Sequence, residues 1–232
     1  MPILDLSITK RALLGGVAAT ALTVALAPYS AAFAQEAAPT SSGSVDVADL
    51  MKPGPLPEMA LGKADAPVKI VEYMSMTCPH CAHFHNTTFD AIKTKYVDSG
   101  KVQFIIREFP FDPAAAAAFM LARTNPTKPT EASTPDQYFA MVSMLFKQQQ
   151  GWAAAQDVRA ALLQMSKLAG FSEEGFVTCL TNQKLLDDVN ATMQRGAKDF
   201  GVNSTPTFII NGKRYSGDMT VDSLSTLIDS AA

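Results

Sequence analysis

Two strand-like runs with a single helix between them set the frame of this chain. Residues 68–74, Val-Lys-Ile-Val-Glu-Tyr-Met, form a compact run of β-favouring side chains entered through Ala66-Pro67. The apolar positions then switch to helical spacing: Cys81, His85, Phe89, Ile92 and Tyr96 follow at intervals of four, four, three and four, ending near Ser99-Gly100. Residues 102–108, Val-Gln-Phe-Ile-Ile-Arg-Glu, read as a second strand stopped by Pro110 and Pro113. Strand, helix and strand in that order make a βαβ unit, whose right-handed crossover lays the strands parallel. The helix opens on the tetrapeptide Cys78-Pro79-His80-Cys81.

Strand signals then vanish. Helical spacing predicts helices over residues 114–122, 135–149, 153–168, 173–180 and 183–200. Thr134 and Pro135 suit an N-cap and a first helical position, and the proline-rich stretch 124–134 before them reads as a surface loop. Strands return at 207–210 and 213–216 around Asn211-Gly212, a pair suited to a tight two-residue hairpin, and a helix over 221–228 closes the chain. This order predicts an α/β, thioredoxin-like fold, a mixed sheet with flanking helices. Its domain is expected over residues 64–113 and 202–232, interrupted by a helical insertion subdomain over 114–201.

The N-terminus has the layout of an export signal over residues 1–34. Lys10 and Arg11 precede an apolar stretch over 12–27, and Ala32-Phe33-Ala34 offers small residues for cleavage. That stretch falls short of the roughly 20 apolar residues of a membrane span and is broken by Gly15, Gly16 and Thr20. Lysine stands where a twin-arginine motif has its first arginine, so the Sec and Tat routes both stay open. Residues 35–63, with Pro53, Pro55 and Pro57, read as a flexible tether. The mature form is expected to be soluble. With a net charge of −3 and no run of like charges, the chain offers no basic face for nucleic acid.

Export makes the three cysteines informative. They are too few to staple a small secreted domain, and the loop between Cys78 and Cys81 is too short for a bond there to add much chain-entropy stabilisation. Such a bond exists for its reactivity. At a helix N-terminus, unpaired N–H groups and the macrodipole favour a thiolate at Cys78, and Cys81, one turn on, lies within disulfide reach. His80, between them, is placed to stabilise that anion further, which argues for donating disulfides. A metal carrier using His80, His83 and His85 is the rival reading. One helical turn cannot wrap these side chains around an ion, and no second Cys/His pair exists, so neither metal nor other cofactor is expected. His85 falls on the apolar helix face and His83 on the solvent side.

Taken together, the string from Val71 through Cys81, with an acid six residues before the first cysteine, and the later Thr205-Pro206 resemble the DsbA family of bacterial periplasmic disulfide oxidoreductases. The resemblance runs from about residue 60 to the C-terminus. It implies that Glu72 is a buried proton acceptor for Cys81, that Pro206 follows a cis bond opposite the dithiol, and that Pro79, Thr205 and Pro206 meet the client peptide. It implies a periplasmic protein that passes the Cys78–Cys81 disulfide to reduced exported clients and is reoxidised by a DsbB-like membrane partner. Threonine before the proline is familiar in isomerase-type relatives, so an isomerase or reductase stays open beside the oxidase. Cys179 reads as a packed free thiol, while Tyr138 and Trp152 suit a client groove or the core equally.

Overall fold

The computed structural model describes residues 39–232, so the signal segment expected over 1–34 lies outside the described residues. In chain order the elements are β1 (Gly43–Ser44), α1 (Val47–Leu50), β2 (Met59–Leu61), β3 (Val68–Met74), α2 (Pro79–Thr87), α3 (Phe89–Ile92), a π-turn (Lys93–Val97) and β4 (Val102–Glu108). Then come α4 (Pro113–Arg123), α5 (Pro135–Lys147), α6 (Gln149–Ala153), α7 (Val158–Leu168), α8 (Glu173–Leu180), α9 (Gln183–Phe200), β5 (Thr207–Ile210), β6 (Lys213–Ser216) and α10 (Val221–Ala231).

The strands form one sheet in the order β1-β6-β5-β3-β4-β2. β3 and β4 run parallel, with Val68 opposite Val102 and Met74 opposite Glu108, as the βαβ reading requires. β5 runs antiparallel to β3, and the β5–β6 hairpin turns at Asn211 and Gly212, whose φ angles of 43° and 85° suit the left-handed turn. Side chains alternate across the sheet. Val68, Ile70 and Met74 face one core with Phe104 and Ile106, whereas Val71 and Tyr73 face a smaller one with Ile105, Phe109, Phe200 and Ile209. Glu72 falls by alternation on the face of Ile70 and Met74, and is fully buried there. Across the other face passes α9, close enough that a Cβ on Gly196 would sit 2.5 Å from Tyr73 Cε1.

The tether expected over 35–63 is a correction. From residue 43 this segment is folded: β1 caps one edge of the sheet, β2 the other, and α1 carries the buried Leu50 into the smaller core. Two buried arginines help to hold it. Arg107 donates to the Leu50 carbonyl at 2.7 Å and pairs with Glu58 at 2.9 Å, while Arg123 donates to the Pro57 carbonyl at 2.5 Å. The prolines that bar a long helix also suit an extended crossing, which supplies both sheet edges with partners.

Helix boundaries also differ from those expected, and the closing helix runs on to Ala231. The single helix expected after Cys78 breaks at Thr88 (φ −115°), whose hydroxyl donates to the Met219 carbonyl at 2.9 Å, and its last turn is a π-turn. Two adjacent β-branched residues, Thr87 and Thr88, make that break inexpensive. The helix expected over 135–149 ends at Lys147, and the one expected from 153 starts at Val158 behind the N-cap Asp157. At Thr134 the capping box is complete, its side chain and that of Gln137 bonding each other's backbone.

Candidate active site

Cys78 is the N-cap of α2 and Pro79 its first residue, which leaves the next N–H groups free to face the sulfur. Its Sγ lies 3.3 Å from the Thr205 carbonyl, to which the thiol donates, and the Thr205-Pro206 bond is cis. The thiol is lowered to about 5 from an ordinary 9.0. The largest cause is the hydrogen bond from the Cys81 thiol; half-burial opposes it, and Thr205 with the backbone N–H groups of Cys81 and His80 adds to it. Cys81 behaves oppositely. It is fully buried, and burial, its bond to Cys78 and the charge of Glu72 push it well above 9.0. One sulfur is thus made a good nucleophile and leaving group, and its neighbour is kept protonated.

Glu72, beneath the pair, accepts from His85 Nε2 on Oε2 at 2.9 Å, while Oε1 has no partner. His85 is stacked on Phe146 with ring centroids 4.8 Å apart and packs on Phe84 and Phe89. The structure therefore brings Cys78, Cys81, Glu72, Thr205 and Pro206 together at one end of the sheet. Pro79 and His80 are exposed beside them; His80 contributes to the Cys78 anion through its backbone N–H. Among the described residues, no group of three or more His, Cys, Asp or Glu could hold a metal ion.

The family model described as Thioredoxin matches residues 56–230. The chain belongs to the thioredoxin family. Over 174 residues it is 33% identical to a Rickettsia conorii protein provisionally named a protein-disulfide oxidoreductase, covering 75% of this chain and 60% of that one. The chain thus spans about 60% of the length of that curated relative. Over 179 residues it is 28% identical to a Bacillus anthracis protein provisionally named disulfide bond formation protein D, covering 74% and 77% of the two. The crystal structure of Wolbachia pipientis alpha-DsbA1 superposes with a TM-score of 0.69 at 27% identity, covering 79% of this chain and 94% of that one. This is the DsbA-like form of the thioredoxin fold, with helices α4 to α9 lying between β4 and β5.

Within this thioredoxin-family site, two polar residues of the helical region do work that spacing alone did not reveal. Gln149, buried at the start of α6, donates from Nε2 to the carbonyls of Met76 and Cys78, both at 2.9 Å. Asp112, the N-cap of α4, accepts from the Thr77 hydroxyl at 2.6 Å and from Ala115 N–H at 2.8 Å. The loop that carries Cys78 is thereby tied to the insertion at two points. Gln149 sits in the polar run Lys147-Gln148-Gln149-Gln150-Gly151, so the local sequence pattern did not single it out as a buried contact. His83 is exposed as expected and pairs through Nδ1 with Asp218.

Tyr138 and Trp152 belong to the core rather than a groove. Both are buried, with the Tyr138 hydroxyl donating to Glu108 at 2.9 Å and the Trp152 indole to the Leu145 carbonyl at 2.8 Å. Cys179 is buried against the Thr124 hydroxyl at 3.1 Å, and burial pushes it up to about 11. Among the described residues no helix is long and apolar enough to cross a membrane.

Proposed function

We propose that this protein is a thiol-disulfide oxidoreductase that donates the Cys78–Cys81 disulfide to reduced exported proteins. The observation that carries this reading is the opposed bias of the two thiols, with Cys78 lowered to about 5 and Cys81 raised well above 9.0. A stabilised Cys78 thiolate favours the reduced protein and makes its disulfide oxidising.

In the first step a client thiolate attacks Cys78 Sγ. The Cys78–Cys81 bond breaks, its electron pair leaves on Cys81, and Cys81 takes a proton held at Glu72. A second client thiolate then attacks the client sulfur of the mixed disulfide. The new bond joins the two client sulfurs, and Cys78 leaves as thiolate, the better leaving group of the pair. The backbone of Thr205, ahead of Pro206, pairs with the client peptide like an added strand, and Pro79 and His80 border it. Export to the periplasm by the N-terminal segment and reoxidation by a DsbB-like membrane disulfide donor complete the cycle.

Threonine at 205, ahead of the cis-proline and beside Cys78, favours a second reading in which the same site runs as an isomerase or reductase. Replacing Cys78 with Ser is expected to abolish oxidation of a reduced client; retained activity overturns the mechanism. The reduction potential in glutathione buffers sets the direction. A value near about −120 mV supports a donor, and one near about −270 mV, where thioredoxin lies, sinks it.

A further inference from the structure

Glu72 is a fully buried carboxyl on a strand whose neighbours at that level, Ile106 and Phe208, offer it no polar group. Its one hydrogen bond is to His85 Nε2, 2.9 Å from Oε2. Burying a charged or polar group without partners is costly, so that single donor decides how the carboxyl is oriented and held. Oε1 is left free, and the charge of Glu72 is felt at Cys81. His85 is fixed in turn by aromatic rings on three sides, Phe84, Phe89 and Phe146, so its Nε2 is aimed by packing rather than by its own rotamer freedom. It comes from α2, the helix that carries Cys81, one turn further on.

We infer that His85 is a positioning residue of the redox site, holding Glu72 by the Nε2–Oε2 hydrogen bond so that Oε1 exchanges the proton of Cys81. The inference rests on the reading of Cys78 and Cys81 as an exchanging pair. When the dithiol is oxidised through a mixed disulfide at Cys78, Cys81 gives its proton to Glu72 Oε1 and its electron pair attacks Cys78 Sγ. The Cys78–Cys81 bond forms, and the bond from Cys78 to the partner sulfur breaks with its pair on the partner thiolate. His85 touches no sulfur in this step. Without it the carboxyl loses its orientation, and only the chemistry of Cys81 suffers.

An aryl disulfide, dithiobis-nitrobenzoate, separates the two cysteines in one trace, because attack by Cys78 releases a first coloured thiolate and attack by Cys81 on the resulting mixed disulfide releases a second. The full chain is used, with Cys179→Ala to keep the buried third thiol silent. His85→Phe, which keeps the ring contacts, is expected to leave the first phase unchanged and to slow the second about 10- to 100-fold. His85→Gln, which returns a donor near the Nε2 position, is expected to recover most of that loss. Adding His85→Phe to Glu72→Gln is expected to slow the second phase no further than Glu72→Gln alone. An unchanged second phase in His85→Phe, equal slowing of both phases, or a His85→Gln protein as slow as His85→Phe overturns the assignment. Failure of the underlying reading looks different: the protein with native His85 then shows no second phase at all.

Discussion

Two buried glutamates stand at the same end of neighbouring strands, and the sheet treats them differently. Glu72 on β3 and Glu108 on β4 are both fully buried, and each has one oxygen without a partner. Glu108 is bound by the Arg123 guanidinium, with Nε at 2.6 Å and Nη2 at 2.5 Å, and by the Tyr138 hydroxyl at 2.9 Å. Glu72 has a single imidazole. Guanidinium keeps its proton at all working pH values, so the first site is an ion pair that fastens α4, α5 and the N-terminal crossing to the sheet. The imidazole offers Glu72 one ring nitrogen rather than a two-nitrogen fork, so the second carboxyl is held less tightly and stays available to Cys81. A buried carboxyl is therefore no signature of function by itself; the partner decides.

The comparison breaks most visibly in stability. Arg123→Met leaves Glu108 buried with no cation and is expected to cost about 3–5 kcal/mol. Glu72→Gln keeps an acceptor for His85 and is expected to change stability by less than about 1 kcal/mol. Denaturant unfolding of both proteins measures the contrast. Equal losses would show that the two sites are the same kind of structural pair.

Only one of these two sites was legible from sequence. The βαβ unit, the hairpin and helices α8 and α9 could be read because each is punctuated locally, by prolines, by Asn211-Gly212 or by strong apolar periodicity. Cys78 and Cys81 sit inside that local pattern and were read with it, whereas Glu72 was singled out only through the family resemblance of the string that carries it. Arg123 and Glu108, by contrast, are brought together only by tertiary packing, and nothing in their spacing announces it. The same holds for Gln149 and Asp112, which reach the Cys78 loop from the insertion. The N-terminal crossing was misread because proline punctuation looks alike in a free tether and in an extended segment whose partners are sheet edges.

The thiols repeat the contrast at smaller scale. Thiolate absorbance in the reduced protein is expected to rise with a midpoint near 5 from Cys78, while buried Cys179 titrates only near 11. The sign of the linked stability follows from the depressed value. The Cys78 anion contributes fully above the unfolded thiol's pKa of about 8.5 and loses that contribution as pH falls through its folded value near 5. The oxidised protein has no such term, so the margin of reduced over oxidised stability is expected to widen from pH 5 upward. A margin flat with pH would mean that Cys78 is not held as an anion.

The smallest expected effect asks how far the insertion, rather than the thioredoxin-like core, sets the reactivity of Cys78. Gln149 touches neither sulfur. It donates to the carbonyls of Met76 and Cys78, and the latter also accepts from Ala82 N–H at 3.2 Å as the first bond of α2. Holding that carbonyl holds the first turn, and the N–H groups of His80 and Cys81 that steady the anion belong to this turn. Gln149→Met fills similar volume but donates nothing, so the turn loosens and the anion loses part of its support. The Cys78 midpoint is expected to rise by about 1 unit, equivalent to about 1.4 kcal/mol, with the potential becoming less oxidising in step. Thr77→Ala, which removes only the outer tie to Asp112, is expected to move it less. A midpoint unmoved in Gln149→Met would assign the whole effect to the local helix terminus, and the insertion would then serve the fold without tuning the thiol.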